Sequence, residues 1–78
     1  MVNYRRKPKI VDKIRIGHGT PLQQYIFRHP LLNDWVSSIT VISKVKTFSF
    51  GGKSYKSTNS DVHRALQQLV NIGALEKK

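Results

Sequence analysis

Five polar side chains recur at helical spacing near the end of the chain, and their chemical types match those that read bases in DNA. At about 100° per residue, one side of a helix over residues 59 to 72 would carry Ser60, His63, Arg64, Gln67 and Asn71. Hydroxyl, imidazole, guanidinium and amide groups bind base edges in the major groove. An ordinary solvated helix face has the same composition, so the pattern alone leaves both interpretations open.

The opposite side of the same stretch is apolar, with Val62, Ala65, Leu66, Leu69 and Val70. Thr58 and Asp61 have the spacing of a capping box, and Gly73 supplies the left-handed residue that often follows a helix. The sequence therefore predicts an amphipathic helix from about residue 59 to 72, with its apolar side in the core.

A polar cap, the pattern x-Val-x-Arg-Ala-Leu-x-x-Leu-x-x-x-Gly ending at Gly73, and a Leu-Glu-Lys exit occupy roughly the last third of the chain. This segment resembles the recognition helix of winged helix-turn-helix proteins, such as the bacterial replication-terminator and PadR-like regulators. It is more loosely similar to the corresponding helix of small-subunit ribosomal proteins of the same fold. The resemblance implies that a strand after Gly73 enters a wing. Because the sequence ends at Lys78, we expect the wing to be supplied elsewhere or to be missing.

The charge balance is strongly basic, with 14 Lys and Arg against 4 Asp and Glu and a formal net charge of +10. Such a chain attracts polyanions, of which nucleic acid is the usual one. An anionic membrane would require an amphipathic helix with a basic polar face. Because the predicted helices carry few basic residues on their polar faces, we expect nucleic acid and no membrane as the partner.

Residues 1 to 9 are predicted to form a flexible basic arm, which places Arg5, Arg6, Lys7 and Lys9 along phosphates or in a minor groove. A solubilising tail without a docking site is the alternative. Residues 10 to 78 are predicted to form a single domain. Within it, residues 10 to 16 suit either a short strand or a helical turn.

Two further helices are predicted before the polar-faced one. Thr20 can cap the first, with Pro21 at its first position and Gln23 completing a capping box, and Pro30 should end it near His29. Asn33 and Asp34 predict the start of the next helix, which would extend to about residue 44. Its apolar stripe would hold Leu32, Trp35, Val36, Ile39 and Ile42, although many β-branched residues favour a strand there. Trp35 is interpreted as a core residue, with base stacking as the alternative.

Alternating residues around Gly51-Gly52 predict a β-hairpin over residues 45 to 56. A two-residue turn would place Phe50 opposite Lys53 and Phe48 opposite Tyr55. Aromatic and lysine side chains on one face fit nucleic acid by stacking and phosphate contact, but such aromatics more often cover a core. A long flexible connection inside a helix-turn-helix is the alternative to the hairpin.

Catalytic and metal-binding patterns are missing from the sequence. The acids Asp12, Asp34, Asp61 and Glu76 are scattered, the three histidines are irregularly spaced, and there is no cysteine. Gly51-Gly52-Lys53-Ser54 lacks the first glycine of a phosphate loop, since position 47 is Thr. We therefore expect neither an enzyme nor a cofactor. With no long apolar run, we expect an intracellular protein.

Together these patterns predict an α+β fold, a small winged-helix-like domain with about three helices and a short β-hairpin. The expected function is sequence-specific binding of double-stranded DNA, in preference to RNA, by a small transcriptional regulator or a DNA-architecture or replication accessory factor. A homodimer is an option that no heptad pattern specifies. The alternatives are an RNA-binding structural protein, such as a ribosomal component, and a basic inhibitor or protein-interaction module. The predicted nucleic-acid contacts are Arg5, Arg6, Lys7, Lys9, Lys53, Lys56, Ser57, Asn59, Ser60, His63, Arg64 and Gln67.

Overall fold

Three α-helices and two small antiparallel sheets make up the part of the chain that the computed structural model describes, residues 2–7 and 19–78. In chain order the elements are β1 (Asn3–Arg6), α1 (Pro21–Arg28), a 3-10 helix (Pro30–Asn33), β2 (Val36–Ser37), α2 (Ser38–Lys44), β3 (Thr47–Phe50), β4 (Lys53–Lys56), α3 (Asn59–Asn71) and β5 (Leu75–Lys77). One sheet has the strand order β2-β1-β5, and the other is the β3–β4 hairpin. The predicted α+β class is confirmed.

Helix α3 begins and ends where the sequence predicts. The Thr58 hydroxyl accepts a hydrogen bond from the Asp61 N–H, and the Asp61 carboxylate accepts one from the Thr58 N–H, each at 3.1 Å. After the last turn Gly73 adopts φ 82°, and the Ala74 N–H donates to the Leu69 carbonyl at 2.9 Å. These bonds satisfy backbone groups that a helix terminus otherwise leaves unpaired.

Helix α1 is also confirmed, because Thr20 accepts from the Gln23 N–H at 3.2 Å and His29 is the C-cap. It packs against α3, and α3 also packs against α2 and β5. The side chains that meet between these elements are fully buried: Ile26, Leu32, Val41, Val45, Val62, Leu66, Leu69, Ala74 and Leu75.

The predicted helix start at Asn33 and Asp34 is wrong. The Asp34 carboxylate accepts from the Trp35 N–H at 2.7 Å, and Val36–Ser37 is a short strand instead of a helical turn. Ser37 is the actual N-cap, since its hydroxyl accepts from the Thr40 N–H at 3.3 Å. With this shift Ile39 leaves the predicted apolar stripe and is 63% exposed, whereas Leu32 and Val36 are buried. Pairing of β2 with β1 overrides the local helical pattern.

The β3–β4 hairpin is confirmed in its predicted register, which rules out a structureless connection. Phe50 pairs with Lys53 and Phe48 with Tyr55. Gly51 and Gly52 have φ values of 60° and 80°, as a two-residue turn with both central residues left-handed requires. Phe48 is 7% exposed, so it covers the core, as the sequence favoured.

The predicted flexible arm is wrong for residues 3 to 6, which form the central strand of the three-stranded sheet. Asn3 exchanges backbone hydrogen bonds with Lys78 at 3.0 and 2.9 Å, and Tyr4 is buried. Burial raises the pKa of the Tyr4 hydroxyl. Burial of the Tyr4 side chain places one face of β1 in the core. This segment therefore forms a strand despite the positive charges of the neighbouring Arg5 and Arg6. Lys9 and the alternatives for residues 10 to 16 lie outside the described residues.

Arg6 joins β1 to the end of α1. Its Nε and Nη2 donate to the Phe27 carbonyl at 2.8 and 2.6 Å, and Nη2 also donates to the His29 carbonyl at 2.8 Å. Its Nη1 donates to the Asn33 side chain, and its guanidinium lies 5.4 Å from the Phe27 ring centroid. One side chain thus satisfies carbonyls at the C-terminal end of α1, where the helix dipole favours a cation.

Substitution of Gly73 tests the end of α3. Gly73→Val is expected to lower the free energy of unfolding by roughly 1 to 2 kcal/mol, because a side chain resists the left-handed conformation. Space is not the obstacle, since the nearest atom to an added Cβ is the Lys7 Nζ at 3.9 Å. Gly73→Asn should cost less, because Asn tolerates this conformation. Urea denaturation measures both, and equal stability of Gly73→Val and the parent would contradict the assignment.

Substitution of Arg6 tests the link between β1 and α1. Arg6→Ala is expected to lower the free energy of unfolding by about 1.5 to 3 kcal/mol, as removal of charge-assisted hydrogen bonds does. Arg28→Ala is the matched control, an exposed arginine in the last turn of the same helix, and it should cost no more than about 1 kcal/mol. Equal effects in thermal or urea unfolding would show that the Arg6 bonds add nothing.

Candidate nucleic-acid interface

The polar side of α3 is open to solvent along the length of the helix. Asn59, Ser60, His63, Arg64, Gln67 and Asn71 are all exposed. A helix of 13 residues is about 20 Å long. The Gln67 amide donates to the Asn71 side chain at 3.0 Å, and at an exposed surface this bond exchanges readily for one to a ligand. The described structure therefore leaves this predicted reading face unobstructed.

The β3–β4 hairpin carries two of the predicted phosphate contacts, one of which lies beside α3. Lys53 and Lys56 are both exposed, and Lys56 lies opposite Thr47 in the hairpin register. Lys56 and Arg64 line the same cleft, although they come from different elements. The fold thus brings Lys56 of the hairpin next to the first half of the α3 polar face.

This cleft lies between the start of α1, the hairpin and the first turns of α3, and its volume is about 250 Å³. Its walls are Thr20, Pro21, Leu22, Gln23, Phe48, Tyr55, Lys56, Ser57, Asp61, Arg64 and Ala65. The sequence did not indicate it, because the start of α1 and the hairpin are more than 20 residues apart in the chain. Its only sequence signal was the pairing of Tyr55 with Phe48.

Asp61 is the acidic group of the cleft. The backbone N–H of Thr58, hydrogen bonding with the Thr58 side chain and the nearby charge of Arg64 hold the pKa of its carboxyl below the ordinary value of 3.8. The group is therefore an anion at neutral pH. Two cations, Lys56 and Arg64, outnumber it, so the cleft keeps a positive balance.

The predicted phosphate contacts of β1 are already engaged within the protein, which corrects the sequence interpretation. Arg5 Nε donates to the Glu76 carboxylate at 2.7 Å, and its guanidinium lies 4.7 Å from the centroid of the Trp35 ring. Lys78 Nζ lies 5.2 Å from the same centroid. Trp35 is half-buried against these cations, so its predicted place in the core is also wrong. Arg6 is held by the end of α1, as described above.

Lys7 and Ser57, two further predicted contacts, lie in different surroundings. Lys7 is exposed, but its backbone N–H donates to the Ala74 carbonyl at 3.2 Å, so it lies at the far end of α3 from Lys56. The Ser57 hydroxyl donates to the Val45 carbonyl at 2.7 Å, and its N–H donates to the Lys46 carbonyl at 2.9 Å. Ser57 therefore joins the hairpin to the end of α2, and its hydroxyl is not free for a ligand.

A strand, β5, follows Gly73, as the winged-helix resemblance implies. Its pairing partner is β1, near the start of the chain. In β5 Lys77 pairs with Tyr4 and Leu75 with Arg6.

No protein-family model, curated protein or solved structure matches the chain.

Two kinds of site are not seen in the described parts of the chain. Across residues 2–7 and 19–78, no three histidine or acidic side chains cluster as metal ligands would. In the same ranges, no helix combines the length and the apolar character needed to cross a membrane.

The capping carboxylate gives a stability effect with a definite pH direction. A pKa that folding lowers contributes stability above the unfolded value, and this stability is lost as pH falls through the folded pKa. We expect Asp61→Asn to lower the melting temperature at about pH 7, and the difference from the parent to shrink below about pH 4. Circular-dichroism melts at both pH values measure it. A difference that does not change with pH would contradict the charged cap.

Proposed function

We propose that this protein binds double-stranded DNA, with the polar side of α3 in the major groove and cations of the β3–β4 hairpin on flanking phosphates. The observation that supports this most is the exposed polar face of α3, with Lys56 and Arg64 on one cleft, in a chain of net charge +10. The resemblance of the same segment to winged-helix recognition helices points the same way. A small transcriptional regulator or DNA accessory factor is the role that fits this form of binding.

The exposed side chains on α3 have different roles in this proposal. Arg64 has the fork geometry that binds guanine O6 and N7, and Gln67 can bind adenine N6 and N7. Ser60 and His63 lie on the same face and can bind either base edges or phosphates. Because the apolar side of α3 is buried against α1, α2 and β5, only this polar side is available to DNA.

Electrostatics brings the duplex to the same surface. A strongly basic chain accelerates association with a polyanion, and each neutralised phosphate releases counterions. If Lys53 and Lys56 each contact one phosphate, the logarithm of the affinity should fall with the logarithm of the salt concentration at a slope of about 2, at about 0.9 per phosphate.

The test separates base reading from charge. After selection of a preferred site from random duplexes, Arg64→Ala and Gln67→Ala are each expected to lose roughly 1 to 3 kcal/mol of binding to that site, with little change on scrambled duplex. Lys56→Ala should weaken both DNAs and lower the salt slope by about 1. Lys44→Ala is the matched control, an exposed lysine on α2, and should change neither affinity. Fluorescence anisotropy at several salt concentrations gives all of these quantities.

Two results would contradict the proposal. Equal weakening of selected and scrambled DNA by Arg64→Ala would mean that α3 does not read bases. Tighter binding of a structured RNA than of any duplex would instead favour the structural RNA-binding alternative, in which shape and phosphates are recognised without sequence reading.

A further inference from the structure

We propose that the cleft between α1, the hairpin and α3 holds one unpaired nucleotide base, so that the protein prefers duplex DNA with an extrahelical nucleotide over fully paired duplex. This inference deepens the proposed function and rests on it, since the flanking duplex is held by α3. The step that it adds is a place for a base outside the helical stack.

An aromatic wall is the first feature that fits a base. The half-buried Tyr55 ring stacks on Phe48 with 5.2 Å between centroids and 15° between planes. Phe48 in turn lies 4.8 Å from the Tyr25 ring. Phe48 is nearly fully buried, Tyr55 is partly exposed, and both residues line the cleft. Bases stack on such rings with little dependence on sequence.

The remaining walls match the other parts of a nucleotide. Pro21, Leu22 and Ala65 are apolar, and Gln23 adds a side-chain amide. Lys56 and Arg64 place cations at the cleft where a phosphate would follow the base. The carboxylate of Asp61 can accept from an exocyclic amine, as acidic side chains do with cytosine.

The size of the cleft fits one ring system. Its volume is about 250 Å³, below the roughly 300 to 1,000 Å³ of pockets that hold drug-sized ligands. A duplex cannot enter such a space. A single base can, provided that it has left the stack, and leaving costs least when the base is already unpaired.

The position of the cleft connects it to the duplex-binding surface. Arg64 lies on the exposed polar side of α3 and also lines the cleft. A nucleotide extruded from DNA held by α3 therefore needs to travel only to the adjoining hairpin. No second protein or rearranged segment is required.

Three labelled duplexes of one sequence test the inference. The first is fully paired, the second carries a single unpaired nucleotide, and the third carries an abasic nucleotide at the same position, which keeps the phosphates and bend but removes the base. We expect the base-containing bulge to bind roughly 5- to 150-fold more tightly than the abasic one, the range of base stacking on an aromatic side chain. With 2-aminopurine as the unpaired base, its fluorescence should fall on binding.

Variants on β4 identify the ring responsible. Tyr55→Ala should bring the two bulged duplexes to equal affinity, whereas Tyr55→Phe should keep the difference. Ser54→Ala is the matched control, since Ser54 is the exposed neighbour on the same strand and lies outside the walls of the cleft. Melting curves check that each variant folds. If Tyr55→Ala does not fold, the base-versus-abasic ratio of the unaltered protein and its 2-aminopurine signal decide the matter.

The outcomes distinguish this inference from the proposed function. Equal binding of the base-containing and abasic bulges, with normal binding of paired duplex, would overturn the cleft assignment and leave duplex binding in place. A preference for the base that survives Tyr55→Ala in a folded variant would also overturn it. Failure to bind any of the three duplexes would overturn both.

Discussion

The pairing of β1 with both of its neighbours is the constraint on which the position of the interface depends. This short strand holds β2 and β5 in one sheet, and Arg6 extends from it to carbonyls at the end of α1. The next residue, Lys7, donates its N–H to the Ala74 carbonyl just beyond α3. One strand therefore holds the C-terminal ends of α1 and α3, the two helices whose first turns border the cleft.

The internal contacts of the two arginines in β1 also decide which cationic side chains remain available to bind a polyanion. Arg5 is shared between Glu76 and Trp35, and Arg6 is held by backbone carbonyls, so both guanidinium groups already have partners within the protein. Removing such partners leaves buried or half-buried polar groups unpaired, which is costly. The cations that bind at no such cost are exposed ones, such as Lys53 and Lys56 of the hairpin and Arg64 of α3, and Lys56 and Arg64 line the same cleft.

Local signals in the sequence were sufficient for α1, α3 and the hairpin, because caps, a left-handed glycine and a two-residue turn act within a few residues. The strand β1 and the cleft depend on contacts between distant positions. Arg5 and Glu76 are 71 residues apart, and Arg6 and Phe27 are 21 apart, and no periodicity records such pairs. The error at residues 33 to 37 has the same origin: the local pattern predicted the cap at Asn33 and Asp34, whereas Val36 pairs with Tyr4 in the sheet and the helix begins only after Ser37.

The connection between the hairpin and α3 explains how phosphate contact and base reading can act together. Ser57 is bonded through its backbone to Lys46 and through its hydroxyl to Val45, and Thr58 immediately begins the capping box of α3. No freely rotating residue separates the two elements, so Lys56 has a defined position relative to Arg64. Phosphates bound by the hairpin would therefore set the register of α3 in the groove, which is the role that backbone contacts have in DNA recognition. The same rigid connection keeps Tyr55 beside the first turns of α3, so a base displaced from a duplex in that register faces an aromatic ring rather than solvent.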